Sequence, residues 1–173
     1  ESVAYNINRK NSTLKFYEFG KTYHKYNEKY QEDKHVTLFV TGNRTKDTWK
    51  VAAQNSGFFY LKGIITALLE RLGINNFKTT PTKSDVFSDG ITLSLGKIKL
   101  VDFGVVKRTI LKGFGIKQEV LFADINWDNV LKTCGKKNIK VSDLPKYPAV
   151  KRDLALLIDN KITFKEIYNL ANQ

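Results

Sequence analysis

The sequence predicts an α+β fold, antiparallel strands with a few packed helices, and three observations predict it. Strand-like runs follow one another across turn signals (Gly42-Asn43, Asp89-Gly90, Gly96) instead of alternating strictly with helices, which argues against a doubly wound parallel sheet. One stretch, Gly57 to Leu72, has clear helical spacing. Apolar residues make up 42% of the 173 and aromatics 12%, enough to fill one sizeable core and to exclude intrinsic disorder.

The elements follow in order. Residues 1–10 read as the end of a helix, broken by Asn11-Ser12. Leu14 to Tyr26 reads as a long strand with Phe16 and Glu18 on one face and Tyr17 and Phe19 on the other. The polar stretch Asn27 to Lys34 reads as a hairpin loop, and Val36 to Thr41 as a second strand. Trp49 lies in the short stretch before the main helix, where Phe58, Leu61, Ile65, Leu68 and Leu72 recur at three- and four-residue intervals. Ser56 is the expected cap at its start, and Gly73 the residue that ends it. Phe77 to Lys83, Ile91 to Leu95 and Lys97 to Val106 are strand-like, Thr109 to Phe114 is a short helix, and Val120 to Ile125 is a further strand. Asn126 is placed to cap a helix over Trp127 to Cys134.

Composition changes at Leu144-Pro145-Lys146-Tyr147-Pro148, which reads as an extended connector. Beyond it the run Leu154 to Ile158 predicts a strand buried on both faces, and Phe164 to Leu170 a helix. One strand and one helix cannot build a core, so residues 144–173 are expected to open a second domain that is incomplete here, after a first domain over 1–143. The chain contains no Met, and it is read as a piece of a longer protein.

With 29 Lys+Arg against 17 Asp+Glu, the net charge of +12 attracts polyanions without sequence readout. The basic residues are spread out (Lys107-Arg108, Lys136-Lys137, Lys151-Arg152), and some are interleaved with aromatics, as in Tyr23-His24-Lys25-Tyr26. Such spread charge is either a solvated face or a nucleic-acid contact. A single Cys excludes a disulfide framework and points to a reducing compartment. No apolar run reaches the roughly 18–20 residues that span a bilayer. Asn11-Ser12-Thr13 and Asn43-Arg44-Thr45 match the glycosylation sequon, but no secretory context accompanies them.

Several tempting motifs fail on context. Asp102-Phe103-Gly104 spells the metal-binding triplet of protein kinases, yet no glycine-rich loop or His-Arg-Asp precedes it. Lys112-Gly113-Phe114-Gly115 lacks the phosphate-loop pattern and reads as a helix-ending turn. His24 and His35 have no metal-ligand spacing, and Cys134 on an apolar helix face reads as a small packing residue. Glu18, inside an aromatic strand, needs a cationic or hydrogen-bonding partner if buried, and a structural ion pair is preferred to catalysis. No catalytic residue, metal site or cofactor is assigned to the chain itself.

Pro145 to Leu156 resembles the start of the ferredoxin-fold anticodon-binding domain of bacterial phenylalanyl-tRNA synthetase beta subunits. Phe16-Tyr17-Glu18-Phe19-Gly20-Lys21-Thr22-Tyr23 looks like the strand of that subunit's synthetase-like core. Phe58 to Gly63 with Leu72-Gly73-Ile74, and Val105 to Phe122, resemble the elements that follow. The resemblance covers essentially the whole chain and places it in the C-terminal region of such subunits. It implies a class II synthetase-like antiparallel sheet flanked by helices, non-catalytic, followed by a truncated β-α piece of a ferredoxin-like domain. It further implies an alpha-subunit partner in an (αβ)2 assembly, phenylalanine tRNA, a cytoplasmic setting, and ATP with magnesium for the holoenzyme only. Lys146, Lys151 and Arg152 match its basic domain entrance as RNA contacts, with an Arg152–Asp153 or interdomain ion pair as the structural alternative. A working class II site grips ATP phosphates with arginines, but none lies between Arg9 and Arg44 or within Gly113 to Glu119. The competing reading is a stand-alone basic RNA-binding or ribosome-associated module without an enzyme partner.

Overall fold

A computed structural model of the chain describes residues 1–26, 28–45, 48–134, 146–148 and 150–171. Lys136-Lys137 and Leu144-Pro145 lie outside them. Residues 1–138 and 139–173 form two separate compact units.

The first unit is built on six strands: β1 (Leu14–Tyr26), β2 (Lys29–Thr41), β5 (Lys78–Pro81), β6 (Phe87–Leu95), β7 (Ile98–Val106) and β8 (Val120–Asn126). They lie in the order β1-β2-β8-β7-β6-β5, every neighbouring pair antiparallel. A separate two-stranded piece joins β3 (Asn43–Thr45) to β4 (Gln54–Asn55). The helices are α1 (Ser2–Asn8), α2 (Phe58–Arg71), α3 (Arg108–Gly113) and α4 (Trp127–Thr133).

Alternation along the strands sorts the side chains into two faces. On one face Val36, Val40, Leu93, Val101, Phe103, Leu121, Ala123 and Ile125 meet Leu61, Ile65 and Leu69 of α2 and Val130 of α4 in the main core. Phe58 stacks on Phe103, ring centroids 5.4 Å apart. On the opposite face a smaller cluster joins Val3 and Ile7 of α1 and Leu111 of α3 to Phe39, Phe122, Val106 and Val120.

The helix ends are set by local chemistry. Gly73, at φ +79°, closes α2: its own N–H donates to the Glu70 carbonyl and that of Ile74 to the Leu69 carbonyl, so both orphan carbonyls are satisfied. The same bonding closes α3, where Gly115 N–H reaches Lys112 and Ile116 N–H reaches Leu111. Lys112–Gly115 is therefore a helix-ending turn. The Asn126 side chain accepts the Asn129 N–H at 2.9 Å and caps α4, as its position predicts.

Three expectations about the first unit are corrected. The stretch predicted as a loop is strand from Lys29 on: β2 begins there, and Lys29 pairs with Tyr26. Its polar residues alternate along a strand whose two faces both meet water, so no apolar period marks it. Gly57, not Ser56, holds the N-cap position of α2, and the Ser56 hydroxyl is buried with no hydrogen-bond partner. Asp89-Gly90 is no turn; it lies inside β6 at an irregularity in the pairing with β7.

In the second unit, α5 (Phe164–Ala171) forms as predicted. Residues 151–158 form no strand, and Leu154, Leu156, Leu157 and Ile158 are exposed instead of buried on both faces. A strand exists only by hydrogen-bonding to a neighbour, and none pairs with this run among the described residues.

Candidate functional site

The sheet face away from α2 is the one α1 and α3 pack on, and its residues also line open depressions. Register builds a continuous polar row across it: Glu18 opposite Thr37, Thr37 opposite Asp124, Asp124 opposite Asp102, and Asp102 opposite Thr92. Two carboxylates on neighbouring strands repel unless neutralised. Here each has its own partner. Asp102, nearly buried, accepts the Thr92 hydroxyl at 2.5 Å and pairs with Lys99. Asp124 lies 2.7 Å from His35 Nδ1.

Beside that pair is a shallow depression of about 290 Å³ lined by Glu18, Gly20, Lys21, Thr22, His35, Thr37, Phe122 and Asp124. Lys21 at its rim is bound to Glu32 at 2.7 Å, and that carboxylate raises the Lys21 pKa above its usual value. No strand of the six-stranded sheet carries an arginine, and neither does α4. Triphosphate recognition needs unpaired cations, preferably guanidinium forks. The row offers no arginine and carboxylates already partnered by Lys99 and His35, so its residues do not suit ATP, while Arg108 of α3 lies outside it beside Val106, Leu111 and Gln118. Among the described residues no group of three or more His, Cys, Asp or Glu is arranged to hold a metal ion. No described helix is long and apolar enough to cross a membrane.

The sequence-derived candidates fall as follows. Glu18 is exposed, so the burial that would oblige a partner is absent, and it makes no ion pair among the described residues. Asp102-Phe103-Gly104 lies wholly within β7, its aspartate satisfied and Phe103 fully buried. Lys146, Lys151 and Arg152 are all exposed, and no ion pair joins Arg152 to Asp153 among the described residues. The sequence reading missed the His35–Asp124 pair, whose members lie 89 positions apart and meet only because β2 pairs with β8.

An antiparallel sheet with helices on both faces is the architecture of class II aminoacyl-tRNA synthetases. Pyrrolysyl-tRNA synthetase from Desulfitobacterium hafniense superposes with a TM-score of 0.55 at 14% identity, over 76% of this chain and 46% of that one. Residues 1–127 match the family described as the phenylalanyl tRNA synthetase beta chain CLM domain, and the chain belongs to that family. Phenylalanine–tRNA ligase beta subunits from Bacteroides fragilis and Bacteroides thetaiotaomicron are 38% and 39% identical over 99% of the chain, and that from Porphyromonas gingivalis is 31% identical. The chain spans 22% of the length of these relatives.

Proposed function

We propose that this chain is the scaffold section of a phenylalanine–tRNA ligase beta subunit: a synthetase-shaped core that carries no active site and supports a catalytic alpha subunit. The observation that carries the reading is the polar row on the sheet face away from α2, whose strands carry no arginine and whose carboxylates Asp102 and Asp124 are already partnered by Lys99 and His35. In the parent enzyme, an (αβ)2 assembly of the cytoplasm, ATP and magnesium act at the alpha subunit during attachment of phenylalanine to its tRNA.

The core spans residues 1–143, and residues 144–173 open a ferredoxin-like anticodon-binding domain. The exposed apolar run Leu154–Ile158 supports this, since such a run needs a covering partner. Lys146, Lys151 and Arg152, exposed at the entrance of that domain, contact tRNA phosphate. Exposed aromatics on the core, Tyr17, Phe19 and Phe59 among them, support a protein interface.

The test has two arms. The purified chain shows no phenylalanine-dependent ATP–pyrophosphate exchange, and the parent subunit co-expressed with its alpha subunit forms a salt-resistant, aminoacylating complex. Exchange by the chain alone overturns the non-catalytic reading. Failure of the complex to form returns the chain to a stand-alone RNA-binding module.

A further inference from the structure

The β1–β2 hairpin is longer than the sheet it belongs to. β2 pairs with β8 only from His35 to Thr41, whereas residues 29–34 pair with β1 alone. Residues 21–26 and 29–34 therefore project as a two-stranded ribbon with no third strand beside them among the described residues. Such a ribbon has no core to cover, so polar side chains are expected on both faces. This one carries Tyr23, Tyr26 and Tyr30, exposed by 68%, 58% and 80%.

Their placement is ordered. On one face the register sets Lys21 opposite Lys34, Tyr23 opposite Glu32, and Lys25 opposite Tyr30. Tyr23 and Tyr30 are diagonal neighbours, about 7–8 Å apart by strand geometry. Lys25 Nζ lies 5.8 Å from the Tyr30 ring centroid. The carboxylate on this face, Glu32, is held by Lys21, and Asp128 at the root accepts the Lys34 backbone N–H. Lys25 and Lys34 have no carboxylate at ion-pair distance among the described residues.

Flat rings at strand spacing with ammonium groups on either side of them match a polyanion whose units have π-faces. We propose that this face of the ribbon binds an unpaired segment of tRNA, bases stacking on Tyr23 and Tyr30 and phosphates drawn to Lys25 and Lys34. The chain's net charge of +12 adds long-range attraction of the same sign. A protein partner matches less well, since a face with three lysines, against Glu32 held by Lys21 and Asp128 at the root, suits a continuous anion. The inference rests on the proposed function for its source of RNA.

The experiment uses the parent subunit assembled with its alpha subunit and measures binding of phenylalanine tRNA and of a single-stranded oligouridylate across a salt series. Tyr23→Ala/Tyr30→Ala weakens both about tenfold or more, because base–aromatic stacking is worth about 1–3 kcal/mol per base. Tyr23→Phe/Tyr30→Phe, which keeps the rings, retains binding. Lys25→Ala/Lys34→Ala flattens the slope of log K against log salt by about 1.4. All four side chains are exposed, so the variants keep their fold, checked by thermal melting. Unchanged affinity and slope in folded variants overturn the proposal, as does loss of the alpha subunit with RNA affinity intact. If the wild-type assembly binds no tRNA, the proposed function fails by itself, and the oligouridylate arm alone decides the platform.

Discussion

Replacing Gly104 by alanine is a sharp test of how the sheet is assembled. Gly104 lies in β7 opposite Gly90 of β6, beside the pairing irregularity between Phe87 and Asp89. A Cβ added there would stand 2.2 Å from the Asp89 carbonyl oxygen, 2.6 Å from Gly90 Cα and 3.0 Å from the Asp89 carbonyl carbon. All three are backbone atoms of a paired strand, so no side chain can rotate away and the strands must separate. Overpacking costs about 1–3 kcal/mol, and a clash entirely with backbone belongs at the upper end, near 3 kcal/mol. For a domain of this size that lowers Tm by roughly 10 °C. Gly63→Ala is the matched control. Gly63 is exposed in the middle of α2 with nothing within 4 Å of an added Cβ, so alanine there gains about 0.5–1 kcal/mol of helix propensity. Scanning calorimetry of the two variants should give shifts of opposite sign. A Gly104→Ala protein melting within about 2 °C of wild type would refute the close approach and reopen a functional reading of Asp102-Phe103-Gly104.

Asn126→Ala removes the side chain that caps α4 and should cost about 1 kcal/mol in urea unfolding, with the m-value unchanged. In the second unit, the Thr163 N–H and hydroxyl both donate to Glu166 Oε2, at 2.7 and 2.9 Å, and the backbone bond foremost lowers the Glu166 pKa from 4.5. A carboxylate with a depressed pKa in the folded state stabilises above its unfolded pKa and loses that contribution as pH falls through the folded value. NMR shifts of residues 164–171 should therefore hold from neutral pH down to about 4.5 and lose helical character below it. Glu166→Gln should abolish that pH dependence.

Much of the fold was legible because local signals agreed with global packing. The i, i+3, i+4 stripe of α2, Gly73 at its end and the Asn126 cap are decided by nearby residues, and all form where the sequence places them. What escaped depends on partners distant in sequence. The His35–Asp124 pair needs the β2–β8 register. The start of β2 at Lys29 is fixed by cross-strand pairing to Tyr26, not by an apolar period. The run Leu154–Ile158 shows the converse: its residue types favour a strand, but a strand cannot form without a neighbour. At Ser56 the residue type was right for a cap, yet Gly57 takes the extended conformation one position later, leaving the hydroxyl inside without a partner.

The two faces of the sheet divide its main packing from its polar groups. The main core, from Val36 to Val130, lies entirely on the side of α2 and α4, and the fully buried side chains Phe103, Leu61, Ile65 and Leu69 belong to it. The opposite face contributes a small cluster under α1 and α3, and elsewhere carries a hydrogen-bonded polar row. Substitutions along that row remove little buried apolar area, and a carboxylate there can be satisfied locally, as Asp102 is by Lys99 and Thr92. Most of the apolar burial and the polar row thus lie on opposite faces of the same strands. A sheet partitioned in this way can change side chains along its polar row while the hydrophobic side stays unchanged.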